Sequence, residues 1–357
     1  MTKKIVFDNR SASCLFDGDV FHELLSGGHL VRFGEGQYGY GKLFLAVFKY
    51  FERACYRLAL KQEPEEFVYP VMIPMSYLEQ CGFFEEYPRK ATFISRLESN
   101  PAPGAGGDKD REGGRFPFLD RLMAPDHVGK AAVCLHCYPQ FANRTVPRDR
   151  PATIATQGRC YRYEEDGSGS FESLWEFIMR EIVYLGSEDF VRERLREARA
   201  LTEEWMTRLG LRCWIETSGD LFFANKRAVR EEALRHADGK LELRISLPFA
   251  GTSLAGEAPG KRPEATPPRA RAEAETSAAI RRPGHPVPGR SLAAASFNFH
   301  GTHFGRAFNI SNGDEGPATT GCAGFGIERL TYGFLSQYGL RTELWPGRVR
   351  EEVLEKP

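Results

Sequence analysis

The stretch Thr320–Leu330, TGCAGFGIERL, places a cysteine ahead of two closely spaced glycines and a Glu-Arg pair. Because glycine has no side chain, Gly324 and Gly326 would let a ligand approach the backbone closely. Arg329 carries a planar, permanently charged guanidinium group that suits a phosphate. Glycine-x-glycine alone is weak evidence, and a turn before an ordinary helix is the plainer interpretation. The stretch indicates a site only if other parts of the chain supply matching groups.

The composition is that of an ordinary globular protein. The chain has 357 residues, of which 41% are hydrophobic, so it can bury a substantial core. Lysine plus arginine equals aspartate plus glutamate at 48 each, so no overall positive field attracts polyanions. This balance counts against a dedicated nucleic-acid binder.

The N-terminal stretch has lysines but no continuous apolar region, and no uncharged apolar run reaches membrane-spanning length. We therefore expect a cytoplasmic protein without a membrane partner. Eight cysteines in such a chain are too sparse for a disulfide scaffold. Each cysteine is then either a buried hydrophobic residue or a metal ligand.

Hydrophobic periodicity predicts two long helices and several strands. Apolar residues three and four apart mark one face of a helix over Lys42–Leu60. A second helix follows Ser187, a residue type that caps helix N-termini, and stops at Gly210. The stretch KLELRISLP from Lys240 alternates apolar and polar residues, as in a half-buried antiparallel strand. The predicted class is α+β, an antiparallel sheet flanked by helices.

Two segments have too few large apolar residues to form a core. The first is Asn100–Phe116 and the second is Ala250–Ser291, which is rich in Pro, Ala, Arg and Gly. We interpret the second as a flexible low-complexity insertion at 250–291 within a single catalytic domain spanning 1–357. The reason is that the sequence on both sides of it contributes to one site.

The stretch Cys160–Gly186 combines charged and aromatic residues around a Gly/Ser-rich turn. Arg162 and Glu164 lie two apart, so a strand would present both on one face. The following apolar strand carries Phe177 and Glu181. This face offers an arginine to a phosphate and a carboxylate to an amine or a base. A surface hairpin with an incidental charge pair is the alternative.

A third group joins the CLHCYPQF stretch, Cys134–Phe141, to Glu181 and Cys322. Two thiolates and a carboxylate can hold zinc and leave one coordination position open, as catalytic zinc sites do. Taken separately, the same cysteines are more often buried hydrophobic residues.

Together the stretches resemble class II aminoacyl-tRNA synthetases. VYPVMIPMSYLEQCGFFEEYP, then Arg162-x-Glu164 with Phe177, then GFGIERL occur in the order of that class's motifs one, two and three. The chain is most similar to the branch of atypical seryl enzymes with zinc in the amino-acid pocket, and within it to stand-alone amino acid:[carrier protein] ligases. The resemblance runs from about Gly41 to about Leu335.

The resemblance implies roles for particular residues. Arg162 would bind the α-phosphate and the substrate carboxylate, Glu164 the nucleotide, and Arg329 the γ-phosphate, and these three would be catalytic. The other implied nucleotide contacts are Ser173, Leu174, Phe177, Lys240, Ala293, Ala294, Ala295 and Ser296. Glu181 and Asn298 would contact the amino acid. The implied zinc ligands are Cys137, Glu181 and Cys322, with Cys134 as the rival of Cys137.

The implied activity is the ATP- and Mg²⁺-dependent activation of a small amino acid, glycine or alanine first, by a homodimeric zinc enzyme. Transfer to the phosphopantetheine thiol of a carrier protein would follow. A tRNA-charging seryl enzyme is the first alternative; we expect tRNA not to be a partner because only about forty residues precede the first long helix. A catalytically silent paralogue that binds a nucleotide or an amino acid is the second. The sequence leaves open which amino acid and which carrier protein are used.

Overall fold

The computed structural model describes residues 3–98, 119–163, 171–218, 239–248, 290–313 and 316–354. Its strands, in chain order, are β1 (Ile5–Asp8), β2 (Leu30–Gly34), β3 (Gln37–Tyr40), β4 (Glu65–Phe67), β5 (Met72–Pro74), β6 (Thr92–Ile94), β7 (His127–Gly129), β8 (Thr145–Val146), β9 (Ala152–Tyr161), β10 (Glu176–Gly186), β11 (Cys213–Thr217), β12 (Lys240–Ser246), β13 (Ser291–Gly301), β14 (Ser311–Asn312) and β15 (Thr319–Gly326).

The helices are α1 (Val20–Ser26), α2 (Lys42–Leu60), α3 (Met75–Gln80), α4 (Phe83–Glu86), α5 (Cys137–Gln140), α6 (Glu188–Leu209), α7 (His303–Ala307), α8 (Ile327–Tyr338) and α9 (Gly347–Leu354). Short 3₁₀ turns cover Pro88–Lys90, Leu119–Arg121, Val133–His136 and Thr342–Leu344. None of the helices in these described ranges has both the length and the apolar character needed to cross a membrane.

The main sheet has eight strands in the order β1-β11-β12-β13-β15-β10-β9-β4. Every neighbouring pair is antiparallel except β4 and β9, which are parallel. Three smaller sheets pair β5-β7-β6, β2-β3 and β8-β14. The predicted α+β class is confirmed.

The two long helices form where periodicity and capping predict them. On α2 the face formed by Phe44, Val47, Phe51, Cys55 and Leu58 is buried. The Ser187 side chain accepts a hydrogen bond from the backbone N–H of Phe190, and Gly210 ends α6 in the left-handed conformation. The strand that begins at Lys240 is also confirmed, as β12.

The main sheet has two different faces because neighbouring residues on a strand point in opposite directions. On β10, Ile182 and Tyr184 join the large apolar core with α2, α6 and α8. Val183 and Leu185 face the other way, into a second core with Ile73 and residues of α5 and α7. This second face of the sheet also carries Glu181 and, in the second core, Cys134, Cys137 and Cys322.

Two sequence predictions lie largely outside the described ranges. The segment Asn100–Phe116 does so completely, and the 250–291 insertion does so up to residue 289. Its last residue, Ser291, is the first residue of β13. The single-domain organisation stays a prediction.

Candidate active site

A cleft of about 140 Å³ lies on the second face of the main sheet. Most of the residues implicated from the sequence line it: Arg162, Phe177, Glu181, Lys240, Ala293, Ala294, Ala295, Ser296, Asn298, Cys322 and Arg329. They come from five segments that are far apart in the chain. The antiparallel register is what brings them together.

Strand β10 supplies the floor of the cleft through every second residue. Phe177, Met179 and Glu181 share one face because side chains alternate along a strand. On β15, Gly326 lies opposite Met179 and Gly324 lies opposite Glu181. A Cβ atom at Gly324 would lie 3.4 Å from Glu181 Cγ and 3.6 Å from its Oε1. The two glycines of the GFG stretch therefore keep the space above β15 open.

Strands β12 and β13 form the neighbouring side of the cleft. Lys240 lies opposite Asn298, and Glu242 lies opposite Ser296. Lys240 Nζ lies 3.0 Å from Glu242 Oε1, so the lysine is held within the sheet face by an ion pair. The Ala293–Ser296 run has small side chains and leaves room for a ligand over β13.

Arg162 leaves the sheet immediately after β9, which ends at Tyr161. Its Nε donates a 2.7 Å hydrogen bond to the carbonyl of Ala131, and its guanidinium carbon lies 5.2 Å from the centre of the Phe177 ring. A guanidinium and an aromatic ring are thus presented side by side. The predicted common strand face of Arg162 and Glu164 does not lie on β9, because β9 ends at Tyr161. Glu164 itself lies outside the described residues.

The backbone of Arg162 is fixed from outside the cleft. Its N–H donates to the carbonyl of Trp175 at 2.9 Å, and the Trp175 N–H donates to the carbonyl of Gly36 at 3.0 Å. Gly36, in the turn between β2 and β3, has φ +64°, and a Cβ there would lie 2.7 Å from the Trp175 nitrogen. Only glycine suits both the conformation and the contact.

Arg329 lies in the first turn of α8 and reaches back across the end of the sheet. Its Nη1 donates to the carbonyl of Ala293 at 3.1 Å, and its Nη2 donates to the carbonyl of Glu172 at 3.2 Å. The guanidinium fork is therefore held by two main-chain acceptors from different segments. Arg329 and Arg162 give the cleft two arginines, both suited to phosphate oxygens.

A candidate metal-binding group, called the metal-binding group below, consists of Cys134, Glu181 and Cys322, whose donor atoms all lie within 4.8 Å of one another. The three residues are at most 2% exposed. Glu181 Oε2 accepts a hydrogen bond from the backbone N–H of Cys134 at 3.1 Å, and Asn298 Nδ2 lies 3.4 Å from Cys322 Sγ. Two cysteines and one carboxylate make a donor set that zinc accepts.

The electrostatics of this group fit a cation. Burial raises the pKa of the Cys134 thiol, and the neighbouring Cys322 and Glu181 raise it further. Burial also raises the pKa of Glu181, although hydrogen bonds from Cys134 oppose the rise. A bound dication would lower these pKa values instead, because coordination to a metal deprotonates thiols. The buried Oδ1 of Asn298 has no hydrogen-bond partner among the described residues, which leaves a polar acceptor in the cleft.

The geometry favours Cys134, the rival of Cys137 in the sequence prediction, and the zinc ligands themselves stay a prediction. Cys134 belongs to the metal-binding group, whereas Cys137 is not among its donors. The stretch is not a regular strand: Val133–His136 is a 3₁₀ turn and Cys137 begins α5. The Cys137 thiol is buried and hydrogen-bonded with the Tyr69 side chain instead, and burial raises its pKa.

Ser173 and Leu174 are not among the residues that line the cleft. Leu174 is 4% exposed and belongs to the large apolar core. The backbone of both residues packs against the turn at Gly36. Their position supports the site's frame and places no side chain in the cleft.

Sequence reasoning missed Glu328, which is only 1% exposed. Both of its carboxylate oxygens accept from the backbone N–H of Ile178, at 2.9 and 3.0 Å, and Oε1 also lies 3.2 Å from the Tyr40 hydroxyl. It thereby ties α8 to the strand segment that carries Phe177. Met179 was missed too, although the alternation between Phe177 and Glu181 contains the signal that identifies it.

No family model matches the chain. It is 25% identical over 338 residues to the type-2 serine--tRNA ligase of Methanococcus maripaludis, with 92% of this chain and 59% of the relative covered. It is 27% identical over 364 residues to that of Methanothermobacter thermautotrophicus, with 98% and 63% covered. The chain thus spans about 60% of the length of the curated relatives it matches.

Among solved structures, the chain is similar to the M. kandleri SerRS in a complex with A. aeolicus tRNASec. The TM-score is 0.79 at 24% identity, over 99% of this chain and 63% of that one. The fold is therefore that of the class II aminoacyl-tRNA synthetases.

These comparisons correct the predicted function and partners. The relatives are named for serine and tRNA, so the predictions of a carrier-protein acceptor, of glycine or alanine as the substrate, and of tRNA as an improbable partner are wrong. Neutral net charge and a short N-terminal stretch misled the inference. The chain matches only part of its relatives, so its own charge and length are no measure of how an RNA is bound.

Proposed function

We propose that the chain activates serine with ATP, forming seryl-adenylate and pyrophosphate, and passes the seryl group to a tRNA. The observation that carries the proposal is the convergence of Arg162, Phe177, Glu181 and Arg329 on one cleft. The names of the relatives supply the amino acid and the acceptor.

In the first step a carboxylate oxygen of the amino acid attacks the α-phosphorus of ATP, and the bond from that phosphorus to the β-phosphate bridge breaks. Negative charge accumulates on the phosphoryl oxygens. The Arg162 guanidinium lies beside the Phe177 ring. An adenine stacked on that ring would bring the α-phosphate near the guanidinium, which would neutralise the developing charge. Mg²⁺ would accompany ATP as part of the substrate complex.

Arg329 contributes through rigidity. Its two hydrogen bonds to main-chain carbonyls orient the guanidinium before any nucleotide arrives, so little side-chain entropy is lost on binding. The face of the guanidinium toward the cleft is suited to the departing pyrophosphate. In the second step a tRNA hydroxyl attacks the carbonyl carbon of the adenylate, and AMP leaves.

Cys134, Glu181 and Cys322 would hold a zinc ion at the amino-acid end of the cleft. When bound, zinc supplies an open coordination position that accepts a free amine. The donor set and its complete burial support this assignment. Asn298, next to Cys322, would accept or donate a hydrogen bond to the same amino acid.

The test is ATP–pyrophosphate exchange with each proteinogenic amino acid, followed by transfer of labelled serine to total tRNA from the source organism. We expect exchange that depends on serine, and label on tRNA that is lost on mild alkaline hydrolysis. An Arg329→Ala variant is the control for contaminating synthetases. Absence of exchange with every amino acid, in folded and zinc-loaded protein, contradicts the proposal. Exchange without label on tRNA contradicts the acceptor alone.

A further inference from the structure

Lys130 lies between β7 and the turn at Val133–His136, and its exposed fraction is 0%. Lysines are almost never fully buried unless their charge is paired. Among the described residues, the only hydrogen bond of its ammonium group is to the carbonyl of Tyr69, at 3.3 Å. An ammonium can donate three hydrogen bonds, so one long bond to a neutral acceptor does not compensate the charge.

The sheet register locates this ammonium beside the metal-binding group. A Cβ atom at Gly158 would lie 2.8 Å from Lys130 Nζ, so the ammonium lies directly over Gly158 on β9. Gly158 lies opposite Met179, and Thr156 lies opposite Glu181. Gly158 and Glu181 are therefore diagonal neighbours on the same face of the sheet. The Lys130 ammonium over Gly158 is close enough to interact with the Glu181 carboxylate.

The charges of the two groups are complementary. A dication held by two thiolates and one carboxylate has a net charge of one negative, in a setting where all three donor residues are buried. An uncompensated charge there is costly, and a single positive charge nearby offsets it. Burial raises the pKa of Glu181, and the charges of Arg162 and Lys130 are among the influences that oppose the rise.

Among the described residues, Arg162 and Lys130 are cations that act on Glu181, and their surroundings distinguish them. Arg162 lines the open cleft, where an anionic substrate would meet its guanidinium. Lys130 is not among the cleft-lining residues, so its ammonium group lies in the protein interior behind the cleft wall. Of these two cations, Lys130 is thus the one that does not line the cleft in which a substrate would bind.

We propose that Lys130 is a positioning residue that supplies the counter-charge for a zinc ion held by Cys134, Glu181 and Cys322. The proposal rests on the zinc site of the proposed function. It assigns the lysine a role in metal affinity, and none in contact with the substrate. Its failure and that of the proposed function are separable, because zinc affinity and pyrophosphate exchange are measured independently.

The first experiment measures zinc affinity by competition with a chromogenic chelator. We expect Lys130→Met to bind zinc at least tenfold more weakly than the wild type. The metal-free variant should unfold at no lower denaturant concentration than the metal-free wild type, because a poorly paired buried charge has been removed. Ile73→Ala, in the same core, is the matched control: it lowers stability but should keep the zinc affinity within twofold.

The second experiment combines the change with Glu181→Gln. With a neutral ligand the zinc-loaded group carries no net charge, so Lys130→Met should then weaken zinc binding less than threefold. Lys130→Gln keeps a donor for the Tyr69 carbonyl and replaces Lys130→Met if that variant does not fold. Unchanged zinc affinity in the Lys130 variants, an equal loss in both backgrounds, or a wild type that binds no zinc overturns the proposal.

Discussion

The carboxylate of Glu181 accepts a hydrogen bond from the backbone N–H of Cys134, with 3.1 Å between the nitrogen and Oε2. The bond joins strand β10 of the main sheet to the 3₁₀ turn that carries the cysteine, over a separation of 47 residues. One carboxylate oxygen therefore positions the turn while the other stays available in the cleft. The Glu181 side chain is thus a candidate metal ligand and also positions the turn that carries Cys134, a second candidate ligand.

Zinc content should distinguish the cysteines. We expect Cys134→Ser and Cys322→Ser to carry much less than one zinc per chain, because each loses one of the three donors found among the described residues. Cys137→Ser is the matched control and should keep its zinc, since that thiol faces Tyr69. Elemental analysis of protein purified without added zinc measures this. Zinc retained in Cys134→Ser but lost in Cys137→Ser would reverse the assignment.

Arg329→Lys should lower kcat/KM for ATP in pyrophosphate exchange by roughly a hundredfold or more, because an ammonium cannot replace a guanidinium that is anchored on two carbonyls. Arg348→Lys is the control, since Arg348 pairs with Glu352 at the surface of α9. A variant with near wild-type exchange would remove Arg329 from the catalytic set.

Phe177→Ala should raise the KM for ATP more than it lowers kcat. Stacking of a base on an aromatic ring contributes about 1–3 kcal/mol, equivalent to roughly a 5- to 160-fold change. Phe177→Tyr keeps the ring and should stay within a few-fold of the wild type, and Phe93→Ala, on a half-exposed ring, should have no effect. Steady-state exchange at varied ATP concentration provides both constants. Equal KM values for Phe177→Ala and the wild type would rule out the stacking role.

Glu328 should make the free energy of unfolding depend on pH. Burial raises its pKa from 4.5 to about 7, although hydrogen bonds from backbone N–H groups oppose the rise. The folded state therefore binds more protons than the unfolded state between these values. The stabilisation is complete below pH 4.5 and is lost as the pH rises towards 7, at most about 3 kcal/mol.

Glu328→Gln removes this ionisation while keeping an acceptor for the Ile178 N–H. Urea denaturation at pH 5 and pH 7.5 should show a smaller loss of stability for the variant than for the wild type. Glu204→Gln, at an exposed position on α6, is the control and should follow the wild type. The same pH dependence in wild type and Glu328→Gln would contradict the assignment.

What could be predicted from the sequence was local. The apolar face of α2 and the Ser187 cap of α6 depend only on residues a few positions apart. The set that lines the cleft was largely found because motif order carries information about a fold that periodicity lacks. The proximity of Cys134, rather than Cys137, to Glu181 and Cys322 could not be predicted because it depends on a 3₁₀ turn, and a spacing of three residues fits several conformations.

Lys130 and Glu328 could not be found from sequence for a different reason. A single lysine or glutamate is normally a surface residue, and its burial is decided by strands and helices far away in the chain. The acceptor was predicted wrongly because net charge and chain length describe this stretch alone. Partner choice depends on surfaces that composition does not represent.

The backbone hydrogen bonds from the Arg162 N–H to Trp175 and from the Trp175 N–H to Gly36 have a consequence for substitutions at Gly36. No residue of the β2–β3 turn lines the cleft, yet the turn helps to fix the position of the Arg162 backbone. A side chain at Gly36 would press against the Trp175 backbone. We expect it to displace the Arg162 guanidinium and lower turnover before it prevents folding. An outer turn that lines no part of the cleft therefore constrains the position of a residue inside it.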